Sequence, residues 1–142
     1  MRGFLILAGS LALSACGVAT ATDDADETAD AAQEASVATL SSAELSVLLE
    51  EGNIRLIDVR TDEEVAEGMI PGAEHIVLDE FDPASLDLSD GREVVLYCRS
   101  SRRSGIAAER LSAYTGETAR HLEGGILAWE EAGMNIVTAP AD

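Results

Sequence analysis

The sequence predicts an α/β fold: a small, mostly parallel central sheet of about five strands flanked by helices. Three observations carry this. Short β-prone apolar runs at Ile54-Arg55-Leu56-Ile57, Val94-Val95-Leu96-Tyr97 and Ala119-Arg120-His121-Leu122 are separated by segments with helical spacing. Two Ser/Thr-x-x-Glu signals, Ser41 to Glu44 and Thr61 to Glu64, read as capping boxes that start helices. The folded unit, residues 39–138, is long enough for one small domain and no more. Strand-helix alternation at this spacing implies a sheet covered on both faces.

Along the chain, the Ser41 box opens a helix carrying Leu45, Leu48 and Leu49 on one side. The Ile54 strand ends in Asp58-Val59-Arg60, and the Thr61 box starts a second short helix. Pro71-Gly72 turns the chain into an apolar run from Ile76 to Leu78, followed by an acidic connection, Asp79 to Gly91, with room for one helical turn. The Val94 strand leads to Cys98. Beyond it Ser104 to Tyr114 has helical spacing, with Ile106, Ala107, Leu111 and Tyr114 inward. Ala119 to Leu122 reads as the final strand, and Gly124-Gly125 precedes a last helix bearing Ile126, Leu127 and Trp129. Residues 139–142 form a short tail.

Before the domain, Arg2 is followed by the apolar stretch Gly3 to Leu13, too short for a permanent membrane span and shaped as an export signal. It ends in Leu13-Ser14-Ala15-Cys16, which resembles the lipobox of bacterial lipoproteins. That resemblance implies a signal peptide over residues 1–15 and a mature chain that begins at an acylated Cys16. The expected location is the cell envelope, lipid-anchored and facing the periplasm. Gly17, in place of an aspartate, points to the outer membrane. Residues 16–38 are mostly Ala, Thr, Asp and Glu without a base, which reads as a flexible acidic tether. A net charge of -18 argues against nucleic acid as a partner.

The most concentrated chemistry lies at Cys98-Arg99-Ser100-Ser101-Arg102-Arg103. The chain has no lysine and nine arginines, and three of the nine lie here. A thiol between a strand end and a helix N-terminus, among guanidiniums and free backbone N–H groups, is expected to titrate low and act as a nucleophile. It has no Cys-x-x-Cys partner, and an acylated Cys16 cannot form a disulfide with it, so dithiol exchange is not expected.

Four ordered segments carry a family resemblance: Leu56-Ile57-Asp58-Val59-Arg60, Gly68-Met69-Ile70-Pro71-Gly72-Ala73, Val95-Leu96-Tyr97-Cys98-Arg99-Ser100 and Leu122-Glu123-Gly124-Gly125-Ile126-Leu127-Ala128-Trp129. Together they resemble a single-domain rhodanese, a sulfurtransferase. The resemblance implies a rhodanese-like sheet and a reaction at Cys98, which takes sulfur from a small anionic donor such as thiosulfate. The resulting persulfide passes its sulfur to a thiol or to cyanide. No cofactor is implied. His75 and His121 lack ligand spacing, so no metal site is expected either.

Within that resemblance, backbone N–H groups of residues 99–103 and the helix start at Ser104 are expected to cradle the sulfur, while Arg99 and Arg102 meet the donor and leaving sulfite. Family members often show Cys-Arg-Ser-Gly-x-Arg-Ser, whose last two positions match Arg103-Ser104. Ser101 stands where glycine is common, which puts loop shape at issue if that position needs a positive φ. Asp58 and Arg60 leave the same end of the sheet. They are expected to support the loop through an ion pair with Arg103 or a bond to its backbone.

Loop length separates a rival chemistry. Cysteine phosphatases use Cys-x5-Arg, whereas here Arg103 follows four intervening residues and Ser104 follows five, which disfavours phosphatase or arsenate reductase activity. A non-catalytic persulfide carrier, thiol sensor or protein-binding module stays open. Inward guanidiniums at Arg99 and Arg102 would favour a small anion, and outward ones an acidic protein partner.

Overall fold

The computed structural model describes residues 35–138. The expected signal peptide, Cys16, most of the tether and the tail at 139–142 lie outside those residues. In chain order the elements are β1 (Val37–Leu40), α1 (Ser42–Glu51), β2 (Ile54–Asp58), α2 (Asp62–Glu67), β3 (Glu74–His75), a 3-10 turn (Pro83–Ser85), β4 (Glu93–Tyr97), α3 (Arg102–Thr115), β5 (Ala119–Leu122) and α4 (Gly125–Glu131). The sheet order is β1-β5-β4-β2-β3, and every neighbouring pair of strands is parallel. The α/β expectation holds, and both capping boxes form: Ser41 with Glu44 at the start of α1, and Thr61 with Glu64 at the start of α2.

Strand parity divides the core into two layers. Leu40, Leu56, Val95, Tyr97 and Leu122 share one face with Leu45 of α1 and with Ile126 and Trp129 of α4. Ile57, Val94, Leu96, Cys98 and Ala119 point to the other face, against Ala107, Ala108 and Leu111 of α3. The small Ala107 and Ala108 let α3 lie close to the sheet, so its N-terminus ends up beside the residue that leaves β4. β4 is the middle strand, and Cys98 follows its C-terminal end, the edge where open α/β sheets place their sites.

Four details differ from the sequence reading. Val37 and Ala38, expected in the tether, belong to β1, which pairs with Ala119 and Arg120. Leu40 is the only buried residue of that edge strand, so it shows no apolar period. β3 is Glu74–His75 instead of the apolar run after it; Ile76 and Leu78 pack side chains on the core while their N–H groups bond Asp58 and Val59 carbonyls at 3.0 and 3.3 Å. α3 begins at Arg102, two residues before Ser104, so Ser104 lies within its first turn. Tyr114, expected inward, is exposed because Ser112 occupies the inward position of its turn.

Leu96 is fully buried in the middle strand, and truncating it leaves a cavity that α3 cannot fill. We expect Leu96→Ala to lower the unfolding free energy by about 2–5 kcal/mol, read from the urea midpoint at unchanged slope. A loss under about 1 kcal/mol would show that this layer is not the close-packed core described.

Candidate active site

The loop after β4 turns back so that its own donors face the thiol it carries. Cys98 Sγ accepts the Ser101 backbone N–H at 3.2 Å, and the Ser104 hydroxyl lies 3.5 Å away. Burial pushes the thiol up, since Cys98 is only 1% exposed. Opposing that, the Ser104 hydroxyl and the backbone N–H groups of Ser104, Ser100 and Ser101 outweigh the burial and hold the thiol below its ordinary value. The cradle expected from residues 99–103 is thus built from Ser100, Ser101 and Ser104, at the positive end of α3.

Ser101 has φ 93° and ψ -33°, the one non-glycine residue with positive φ among the described residues. The strain, about 1 kcal/mol or more for an L side chain, has a local counterweight. Ser101 Oγ accepts the Gly124 N–H at 2.6 Å and lies 3.4 Å from the Leu122 carbonyl. A glycine would adopt this φ freely but could not make that tie.

The Gly124-Gly125 pair presses against the loop from the other side. Ile126 and Leu127 N–H groups bond the Cys98 and Arg99 carbonyls at 2.8 and 3.3 Å. A Cβ on Gly125 would lie 2.3 Å from the Cys98 carbonyl oxygen, so only glycine permits this approach.

The arginines divide into two kinds. Arg103 makes a two-pronged ion pair with Glu64, at 2.6 and 2.7 Å, and so fixes the first turn of α3 to α2. Arg99 and Arg102 are exposed and make no ion pair among the described residues, and Ser100 is exposed beside them.

The expected pairing of Asp58 or Arg60 with Arg103 does not form. Asp58 and Arg60 pair with each other in the interior, at 2.6 Å between Nη2 and Oδ2. The Arg60 guanidinium also donates to the Glu64 and Gly68 carbonyls at 3.1 and 2.6 Å and lies 5.7 Å from the Tyr97 ring centre. Their link to the loop therefore runs through Glu64, whose backbone binds Arg60 and whose carboxylate binds Arg103. Sequence spacing identified Glu64 only as a capping residue, and it does both jobs.

His121 is the other residue the sequence reading passed over. Its Nδ1 lies 3.1 Å from Ser104 Oγ, behind the cradle. Parity could have found it, since Ala119 and His121 point to the same face of the sheet as Cys98. His75, by contrast, sits away from the thiol, with Nε2 at 2.8 Å from the Arg60 carbonyl.

Among the described residues, two cavities can be compared with the position of the thiol. One of about 630 Å³ is lined by Glu93, Val94, Leu111, Thr115 and Ala119, at the opposite end of β4 from Cys98. The other, about 120 Å³, is lined by Arg60, Glu64, Arg99, Ile126 and Glu130, beside the loop. The larger is remote from the thiol, and the smaller matches the scale of a small anion better than that of a cofactor.

Comparison with known proteins agrees with this geometry. A family model described as Rhodanese-like domain matches residues 41–132. The uncharacterized protein slr1261 of Synechocystis is 37% identical over 99 residues, covering 70% of this chain and 55% of its own length. A sulfurtransferase of Allochromatium vinosum is 36% identical over 85 residues, covering 60% of this chain and 79% of the relative. The crystal structure of a rhodanese-related protein from Thermoplasma volcanium superposes with a TM-score of 0.63 at 26% identity, over 71% of this chain and 98% of that one.

The Glu64–Arg103 pair makes a pH signature. Arg103 is the main cause that holds Glu64 down, to about 2 from an ordinary 4.5. A carboxylate lowered on folding contributes its full stabilisation above the unfolded value and loses it as pH falls toward the folded one. The stability difference between wild type and Glu64→Gln should therefore be largest above pH 4.5 and shrink between 4.5 and 2. A difference that is flat across that window in urea titrations would show that the pair does not couple α2 to the loop.

Proposed function

The chain belongs to the rhodanese-like domain family, and from that membership we propose that it is a sulfurtransferase whose nucleophile is Cys98. The observation that carries the assignment is the Cys98 sulfur held by the Ser101 N–H and the Ser104 hydroxyl at the base of α3. These donors stabilise a sulfur anion, and the reaction passes through two of them.

In the first step the Cys98 thiolate attacks the outer sulfur of thiosulfate or a similar donor. The new Sγ–S bond forms as the donor S–S bond breaks, and its electron pair leaves with sulfite. The product is a persulfide anion one atom longer, still within reach of the same N–H groups. In the second step cyanide or a thiolate attacks the outer sulfur, and the Sγ–S pair returns to Cys98. No net oxidant, cofactor or strong general base is needed once the thiolate exists. Arg99 and Arg102, exposed at the loop surface and without an ion pair among the described residues, supply positive charge for an incoming anion.

The same exposure gives a second reading some support. Outward guanidiniums suit an acidic protein that delivers or receives sulfur, so a persulfide carrier is the alternative use of this loop. The four-residue spacing to Arg103 continues to speak against phosphoryl chemistry. On sequence grounds alone, from Leu13-Ser14-Ala15-Cys16, we further propose that the domain is held in the cell envelope by a lipid on Cys16, with the acidic segment as its tether.

The deciding assay mixes the protein with thiosulfate and cyanide and follows thiocyanate. Wild type should turn over, and Cys98→Ser should lose activity at least about a thousandfold, the scale for removing a covalent nucleophile. Equal rates in the two would refute the assignment. Hydrolysis of an aryl phosphate by wild type, lost in Cys98→Ser, would point to the phosphatase chemistry instead.

A further inference from the structure

Behind the cradle, one hydroxyl faces three partners. Ser104 Oγ is fully buried and lies 3.0 Å from the Ser101 carbonyl, 3.1 Å from His121 Nδ1 and 3.5 Å from Cys98 Sγ. A hydroxyl has one proton to give and two lone pairs to receive with. The Ser101 carbonyl is already served by the Gly105 N–H at 2.8 Å, so it does not need that proton. The contest is between His121 and the sulfur. If His121 Nδ1 is bare, it takes the Ser104 proton and the sulfur loses a donor. If Nδ1 carries a proton, it becomes a donor to Ser104 and the hydroxyl is free for the sulfur.

Resting on Cys98 as the sulfur-bearing thiol, we propose that His121 is a positioning residue: its Nδ1–H donates to Ser104 Oγ and turns that hydroxyl's single proton onto Cys98 Sγ. The chain runs from β5 through the first turn of α3 to the end of β4, so three elements set the state of one atom. The ring is buried. β4 sets Leu96 opposite it, β1 sets Thr39 opposite it, and α3 lays Gly105 against its Cε1–Nε2 edge. Glu123 is the charged group that bears on it. Burial lowers His121 more than Glu123 raises it, so at neutral pH the ring is uncharged and the placement of its one N–H is what matters. A thiolate rewards the Nδ1–H form, because only that form completes a donor chain ending on the sulfur.

The test reads the thiol without any sulfur donor. In a Cys16→Ser background, which leaves Cys98 as the only thiol, iodoacetamide alkylation is followed against pH. Phe at 121 keeps an aromatic ring but has no N–H. We expect His121→Phe to raise the alkylation midpoint, cutting the thiolate fraction at neutral pH about three- to tenfold, as does Ser104→Ala. His121→Asn, whose amide can place a donor near Nδ1, should recover most of the loss. A His121→Phe profile that overlays wild type would overturn the proposal. So would a folded His121→Asn that behaves like His121→Phe, since then the ring's packing is what counts. Independently of any variant, the imidazole nitrogen shifts of wild type should show a protonated Nδ1 and a bare Nε2, and the reverse pattern would overturn it. Because alkylation needs no donor, a protein that forms no thiocyanate yet shows this His121 dependence would refute sulfur transfer and support the positioning role.

Discussion

A sulfur anion removed from water must be met by hydrogen-bond donors, and the rest of this domain depends on that requirement. Cys98 is buried, and burial alone would keep its proton on. What reverses the balance is a seven-residue segment, Cys98 to Ser104, folded so that its own N–H groups and one hydroxyl point inward. Such a segment cannot hold itself. Its donors compete with water and with neighbouring carbonyls, and one member sits at positive φ.

Three supports hold it from different directions. From α2, Glu64 grips Arg103 while its backbone is held by the buried Asp58–Arg60 pair, so the end of β2 and the start of α3 are joined by a line of charge-assisted bonds. From β5 and α4, the Gly124 N–H donates to the Ser101 hydroxyl, and the Ile126 and Leu127 N–H groups bond the Cys98 and Arg99 carbonyls. From below, Ala107 and Ala108 bring α3 close enough to the sheet that its first turn faces the sulfur. The sheet order, with β4 in the middle, is what allows all three to converge.

Much of this was legible in the chain. The capping boxes at Ser41 and Thr61 and the Cys98 loop are local signals, encoded within a few residues. The strain at Ser101 was visible as a serine in a glycine's place. What was not legible are partners set by strand order. Arg103 meets Glu64, which lies 39 positions away, and that pairing follows from β2, which leads into α2, lying beside β4, which leads into α3. His121 has no ligand spacing in the sequence, and its place beside Ser104 arises from being one strand over from Leu96, on the same face as Cys98. β1 escaped notice because an edge strand with one buried residue carries no periodic signal.

The exposed Arg99 and Arg102 shift the remaining chemical question outward, from how the sulfur anion is held to what brings the sulfur. The central claim is narrower: Cys98 carries a transferable sulfur in this cradle. Intact-mass measurement after thiosulfate treatment tests it most directly. The account predicts a gain of one sulfur atom, located on the peptide that contains Cys98 and removed by cyanide. A thiol that stays unmodified by thiosulfate while it is readily alkylated would contradict it.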